Sequence, residues 1–414
     1  MEEKNSEKKE RKMRDSGIPW IGEVPEGWEF SKIKYHCTMK SGDNITALDI
    51  SDNGEYPVYG GNGLRGFYKI YNKNGNHILI GRQGALAGNV HLVNGKFWAT
   101  DHAVIVTLKN DVFINYFFRM LESMNLNQYA FDTAAQPGLS VSRIMNLNIV
   151  LPNLKEQHRI ADFLGSKCSE IDTLIENLRA RMESAKEYKK AVITEAVTKG
   201  LDKDAKMKDS GVEWIGEIPE GWKVVRFKHI DSIKSNLVQP DKYMKYPQIA
   251  PDNIEKDTGR LLSHQTVEES GVISGNHLFY RGQILYSKIR PNLNKLTVAP
   301  FDGLCSADMY PIESKLPTLF MVYSMLSTYF VSQVSLIIQD RVKMPKINQE
   351  ELGEIKVAVP SQQEMLTIAD YLDSKCSEID ALLQNYEYQI ATLEEYKKSL
   401  IYEYVTGKKE VPEA

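Results

Sequence analysis

Two stretches of this sequence bring cations, amides and glycines together without a single carboxylate. Residues 56–100 contain no Asp or Glu and carry Arg65, Lys69, Lys73, Arg82 and Lys96, with His77 and His91. Residues 270–301 are likewise acid-free and carry Arg281, Lys288, Arg290 and Lys295. Asp and Glu make up 55 of the 414 residues, so long acid-free runs are not expected by chance. A local basic face of this kind is the electrostatic footprint of phosphate binding. The side chains also suit base edges: Arg and Lys match guanine, Asn and Gln match adenine. In GGNGLRG and GRQGALAGN, the residues Asn62, Arg65, Arg82, Gln83 and Asn89 stand among glycines that let backbone come close to a phosphate or groove wall. The second run supplies Lys288, Arg290, Asn292 and Asn294, and RVKMPK supplies Arg341, Lys343 and Lys346. These residues are the candidate DNA contacts.

Patterns that would carry out a reaction are missing or out of place. Gly61-Asn62-Gly63-Leu64-Arg65-Gly66 matches G-x-G-x-x-G, but FYKIYN follows where a helix is required, and no acid comes until Asp101. There is no kinase-type V-A-I-K lysine strand, no G-x-x-x-x-G-K-[ST], no H-E-x-x-H and no Asn/Asp-Pro-Pro-aromatic motif. Glu187-Tyr188-Lys189 resembles the end of a nuclease carboxylate–lysine motif, yet it falls in a helical pattern and recurs there, which makes it structural. His102 beside Asp101 reads as a strand-edge pair. No catalytic residue and no metal ligand set is expected.

The bulk numbers bound the rest. The net charge of −4 does not advertise a nucleic-acid binder, so the distribution of charge matters more than its sum. Residues 361–410 hold 10 acids against 5 bases, an acidic scaffold that offsets the basic runs. No run of 18 apolar residues suggests a membrane span, and MEEKNSEKKERK lacks the apolar core of a secretory signal. Residues 1–11 are expected to be a disordered tail. Cys37, Cys168, Cys305 and Cys376 form no C-x-x-C pair, which fits a reduced, cytoplasmic protein without disulfides or zinc.

These candidate contacts are positioned by a tandem duplication. KMRDSGIPWIGEVPEGWEFSKIK at 12–34 recurs as KMKDSGVEWIGEIPEGWKVVRFK at 206–228, an offset of 194. IADFLGSKCSEIDTLI at 160–175 recurs as IADYLDSKCSEIDALL at 368–383, an offset of 208, and EYKK at 187–190 returns at 395–398. The order is module, helix, module, helix, with about 14 extra residues in the second module. The reading assigns 1–150 to a first recognition module, 151–200 to a central helical spacer, 201–358 to a second module and 359–414 to a C-terminal spacer. Ile160, Leu164, Cys168, Ile171, Ile175, Leu178, Tyr188 and their successors alternate by three and four, as do Ile368, Leu372, Cys376, Ile379, Leu383, Tyr386 and Tyr396. That is a coiled-coil seam several heptads long. Each helix would be roughly 60 Å long at 1.5 Å per residue.

Short β-rich runs at VYG, HILI, HAVIVTL and NIVLP, and at QILYSKI, KLTVA and KVAVP, give the modules an α/β (α+β) character, with helices near 111–126 and 317–330. The expected fold class is therefore two α/β globular modules joined by two long helices. The end of the first helix and the start of the second both meet module two. The simplest packing is an antiparallel coiled coil with a pseudo-twofold axis.

Taken together, WIGE-[VI]-PEGW twice, the helix starts LPNLKEQHRIADFL and VPSQQEMLTIADYL, and the EYKK helices resemble the specificity subunits of type I restriction–modification enzymes over nearly the whole chain. SKIRPNLNKLTVAPFDGLCSAD with VKMPKIN, and the two glycine-rich runs of module one, resemble target-recognition domains of that family. The second helix start departs slightly, with Met365-Leu366-Thr367 where the first has Gln157-His158-Arg159. The resemblance implies that each module reads one half of a bipartite, asymmetric target in double-stranded DNA. It implies that the helices act as a ruler and dock two methyltransferase subunits, which restriction/translocase subunits then join. S-adenosylmethionine, ATP and Mg would be cofactors of those partners and not of this chain. Two tethered major-groove readers suit half-sites about one turn apart. A coiled-coil adaptor without a DNA role is disfavoured by the paired acid-free runs, and an enzyme in its own right would need a site that the sequence does not offer.

Overall fold

In the computed structural model, residues 11–83, 87–109, 111–131, 138–341 and 343–412 are described. The expected tail at 1–11 lies outside them except for Arg11. The chain divides into two compact units, one formed by 1–178 with 388–414 and the other by 179–387. Each unit holds one module and parts of both long helices, Leu154–Lys199 and Gln362–Val405. No single helix among the described residues is long and apolar enough to cross a membrane.

In the first unit a four-stranded antiparallel sheet runs in the order Cys37–Ser41, Ala103–Leu108, His77–Gly81, Val90–Val93. Both of its faces are covered, which is why its central strands read as continuous apolar runs. Ile78, Ile80, Val104 and Val106 face a core shared with Tyr116 and Phe117 of the helix Ile114–Ser123. Leu79 and Ile105 point the other way, to Val93 and Phe97. A second sheet carries Gly63–Tyr68, Tyr56–Gly60, Lys96–Ala99 and Lys73–Asn74, with Lys96–Ala99 parallel to Tyr56–Gly60.

The second unit repeats this layout. Asp231–Ile233, Met309–Ser314, Ile284–Ser287 and Leu296–Val298 form one antiparallel sheet. In the other sheet Gly303–Cys305 runs parallel to Pro247–Ile249. The strands Tyr56–Gly60 and Pro247–Ile249 begin 191 residues apart, whereas Lys96–Ala99 and Gly303–Cys305 begin 207 apart. The extra length of module two therefore lies between those strands, around the short helix Val267–Ser270.

Each unit independently shows its two helix segments running antiparallel. In the first, Arg159 donates to the Val411 carbonyl, Phe163 packs on Tyr404, and Lys397 reaches Asp172 at 2.7 Å, so the partner number falls as the helix advances. In the second, Lys189 reaches Asp380 at 2.7 Å, and Gly200 at the end of the first helix lies against Glu364 at the start of the second. The seam residues Ile160, Leu164, Cys168, Ile171 and Ile175 are buried, as are Ile368, Leu372, Cys376 and Ile379. Leu178, Leu383 and Tyr386 are only half-buried. Tyr188 and Tyr396 are not in the seam at all: they are 54% and 55% exposed. A straight α-helix drifts by about 20° per heptad against a 3.5-residue repeat, so a strict seam cannot stay inward over this length. Beyond Tyr188 the seam positions Val192 and Ala196 are buried as expected, now with Ile193 and Val197 beside them.

The repeated WIGE-x-PEGW motif folds as a small antiparallel ribbon, Met13–Asp15 on Glu23–Pro25 and Met207–Asp209 on Glu217–Pro219. Trp28 and Trp222 are each 2% exposed. Both sit on a glycine that ends a long helix with positive φ, Trp28 at Gly407 (φ +73°) and Trp222 at Gly200 (φ +75°). A Cβ on Gly407 would stand 2.6 Å from Pro25 and 3.0 Å from the Trp28 ring. Tyr402 and Tyr116 tie the same junction, donating to the carbonyls of Ile21 and Val405. Gly407→Ala is expected to destabilise the first unit by about 2 kcal/mol, from left-handed strain plus the clash. Thermal unfolding of this variant beside Gly27→Ala, where a Cβ meets nothing within 4 Å, checks it.

Candidate DNA interface

In module one, the candidate residues converge from two separate elements, a hairpin and the loop between His77–Gly81 and Val90–Val93. Gly60 pairs with Gly63 across a two-residue turn, so the G-x-G-x-x-G segment is a β-hairpin tip and not the start of a helix. That tip presents Asn62, which is exposed. A Cβ on Gly61 would lie 3.2 Å from the His102 carbonyl, 3.4 Å from that of Gln83 and 3.7 Å from the Arg82 nitrogen. A side chain at position 61 would crowd the close approach of the hairpin to the loop that follows His77–Gly81. Asn89 donates to the Asn62 side chain at 3.4 Å. Arg65 runs back along the hairpin over Gly60, with its side chain exposed. Arg82 and Gln83 are also exposed, and the Arg82 guanidinium reaches the Ser41 hydroxyl at 3.3 Å. A lone bridge joins Gln83 to Gly138. Residues 84–86 and 132–137 of these two loops lie outside the described residues.

His91 lies against Gly63 beneath this tip, and burial lowers its pKa, which favours the neutral ring. His102, read from sequence as a strand-edge pair with Asp101, is 4.0 Å from that carboxylate and contributes its carbonyl to the loop junction.

Module two builds an equivalent junction. The loop after Ile284–Ser287 and the loop before the helix Gln349–Glu354 are joined by a bridge between Ile289 and Lys346. The Ile347 amide donates to the Lys288 carbonyl at 3.0 Å and the Arg290 amide to the Pro345 carbonyl at 2.8 Å. Lys288 is half-buried over the Tyr310 ring at 5.3 Å. Arg290, Asn292 and Lys343 are exposed.

Two expected contacts are corrected here. Asn294 is 1% exposed, and its amide donates to the Met325 carbonyl, so it secures its own loop from inside. Arg341 forks onto the Glu351 carboxylate and the Lys346 carbonyl. This pairing lowers the Glu351 pKa, and Glu351 also completes a capping box with Asn348. Arg341 is thus a clamp on the loop that displays Lys343. In both cases the residue type is visible in the sequence, and the partner that occupies it is not.

One constellation escaped the sequence reading. His36 lies 2.6 Å from the Ser31 hydroxyl and 2.7 Å from Asp111, which reproduces the contacts of a serine–histidine–aspartate relay. Ser31 also lines an open cavity of about 470 Å³ with Phe30, Lys32 and Tyr35. Its context is that of a strut. Ser31 is in a paired strand, Asp111 is 54% exposed, and the Ile33 amide is already bonded to Leu147. A nucleophile of this kind needs converging amides at the oxyanion position. In module two, Val225 and Ile230 stand where Ser31 and His36 stand in module one. Among the described residues no group of His, Cys, Asp and Glu is placed to hold a metal.

The two junctions are the candidate interface. Arg82→Ala and Arg290→Ala are expected to weaken DNA binding by about 1–3 kcal/mol if a base contact is lost. If a phosphate contact is lost, the salt slope should fall by about one. Fluorescence anisotropy across salt measures both, and Asn294→Ala should show its main effect on stability instead.

The chain is similar to several known proteins. Residues 25–184 match the type I restriction modification DNA specificity domain. The chain is 34% identical over 267 residues to the type I restriction enzyme EcoDI specificity subunit of Escherichia coli, which covers 60% of this chain and 60% of that protein. It is 28% identical to the MjaVIII specificity subunit of Methanocaldococcus jannaschii, covering 93% of both. A solved structure described as the structural basis of complex assembly and conformational transition of the type I R-M system shares the fold, with TM-score 0.65 at 14% identity over 93% of this chain and 99% of that one. With the duplicated motifs, the helices and the paired loops in place, the chain is similar to type I restriction–modification specificity subunits over most of its length, and residues 25–184 match their DNA specificity domain.

Proposed function

We propose that the chain is the DNA sequence-recognition subunit of a type I restriction–modification complex. Each module reads one half of a bipartite, asymmetric target, and the helices fix the spacing. The observation that carries this reading is the repeated junction. In both modules a loop after a central strand is joined by one bridge to a loop before a short helix, and exposed Arg, Asn, Gln or Lys side chains project there. The chain supplies no reaction chemistry of its own. Adenine methylation, with S-adenosylmethionine, and ATP- and Mg-dependent translocation and cleavage belong to its methyltransferase and restriction partners.

The helices also offer a reason for two methyltransferase subunits. Most exposed helix positions differ between the repeats, as at Arg179 and Glu387 or Lys186 and Glu394. Leu174 and Leu382 are identical although 52% and 41% exposed, and Tyr188 and Tyr396 likewise at 54% and 55%. In sequence, Leu174 and Leu382 follow Asp172 and Asp380 by two residues, and Tyr188 and Tyr396 precede Lys189 and Lys397, the residues of the two seam ion pairs. Packing within the chain does not account for identical exposed apolar side chains, whereas docking one copy of the same partner on each unit does. The test is genome-wide mapping of methylated adenines with and without this chain. A bipartite motif that disappears with the chain supports the reading; a methylation pattern that does not depend on the chain contradicts it.

A further inference from the structure

The loop of module two that Arg341 clamps ends in an unusual display. Met344 has φ +47°, a left-handed conformation that a bulky side chain rarely adopts, and it precedes Pro345, which further disfavours helical backbone. Its side chain is 53% exposed. The surroundings hold this arrangement in place on every side. Arg341 grips Glu351 and the Lys346 carbonyl, the Arg290 amide donates to the Pro345 carbonyl, Ile289 bridges Lys346, and the Lys346 ammonium reaches Asp308 at 3.1 Å. Arg290, itself at φ +43°, and Lys343 are the exposed cations beside it. Strain that persists because its surroundings impose it points to use at a site. An exposed thioether among cations is poorly suited to holding phosphate and well suited to meeting the faces of bases.

We infer that Met344 is an apolar wedge that enters the base stack in the half-site read by module two, while Arg290 and Lys343 hold the flanking backbone. This rests on the DNA reading proposed above. It is a property of module two alone, because at the 208-residue offset Gln136 stands where Met344 stands, one residue before Pro137. Unstacking a step makes that half-site sensitive to step flexibility and not only to base edges.

The experiment uses the full chain assembled with its methyltransferase partner. The probe is a duplex carrying the sequence that methylation mapping assigns, with 2-aminopurine placed in turn at each step of the two half-sites. Wild type should brighten one step, in the half-site that Arg290→Ala relaxes. Met344→Ala and Met344→Gly should lose that signal and bind roughly tenfold more weakly with an unchanged salt slope, on the scale of one lost step contact. Met344→Leu should keep both. Met344→Gly should at the same time unfold no earlier than wild type, because glycine removes the left-handed strain. The wedge is overturned if no step brightens with wild type, if Met344→Ala brightens it equally, or if Met344→Leu loses as much as Met344→Ala. If wild type does not distinguish the mapped duplex from a scrambled one, the DNA reading itself fails and the wedge falls with it.

Discussion

Residues 1–205, expressed without the rest of the chain, are expected to dimerise and to direct methylation to a new, palindromic sequence. The reason is in the ion pairs of the seam. Asp172 and Asp380 are equivalent under the 208-residue offset, and so are Lys189 and Lys397. The intact chain makes Asp172–Lys397 in one unit and Lys189–Asp380 in the other. One helix therefore carries both partners of the pair, and two antiparallel copies of Leu154–Lys199 can form it twice. They also bury Ile160, Leu164, Cys168 and Ile171 against each other. Gly200 of the second copy can take the place of Gly407 under Trp28, since both end a helix at similar φ. Such a self-complementary surface is the condition for an isologous dimer. The same holds for 206–414, less stably, because 361–410 carries 10 acids against 5 bases and would face a like-charged copy. Sedimentation of each half, followed by methylation mapping with the partner subunit, measures the outcome. A folded half that stays monomeric at about 50 μM, well above the Kd range of specific complexes, would contradict it.

Asp231 gives the second large effect. It occupies the place of Cys37 in the first module, at the start of the matching edge strand. It is 5% exposed, and neither carboxylate oxygen has a hydrogen-bond partner. Burial raises its pKa to about 7, and Ser314 and Lys315 nearby offset only part of that. The folded chain thus holds a proton that the unfolded chain releases near pH 4. The unfolded state binds fewer protons in between, so stability falls as pH rises from about 4 to about 7 and is flat above. The loss is at most about 4 kcal/mol, at 1.36 kcal/mol per unit. Asp231→Asn, and Asp231→Cys as in module one, should raise the unfolding midpoint of the second unit at pH 8 and leave it unchanged at pH 4. Equal shifts at both pH values would show that the carboxyl is not protonated in the fold.

What the sequence made legible was periodic or repeated. The helices begin three residues inside the spacer boundaries read at 151 and 359, because their seams and starts are local signals. The five candidates of module one are brought together because glycines at 60, 61 and 63 permit the hairpin to lie on the Arg82 loop. Long-range partners were not legible. Strand order, the seating of Trp28 on Gly407 and the engagement of Arg341 with Glu351 each join residues whose proximity leaves no trace in spacing. Tyr188 and Tyr396 kept heptad spacing while leaving the seam, since spacing records periodicity but not the drift of a straight helix. Asn294 looked like a base reader because buried and exposed asparagines are the same letter.

If two separate loop junctions read two separate halves of one target, each half should respond to its own junction alone. This is tested most directly by mapping methylated adenines in cells that express the methyltransferase partner with wild type, with Arg82→Ala/Gln83→Ala, and with Arg290→Ala/Asn292→Ala. The expected result is a bipartite motif for wild type, relaxation of one half in the first variant and of the other half in the second, with the spacer length unchanged in all three. Relaxation of both halves by either variant, or a continuous motif with no unread spacer, would contradict it.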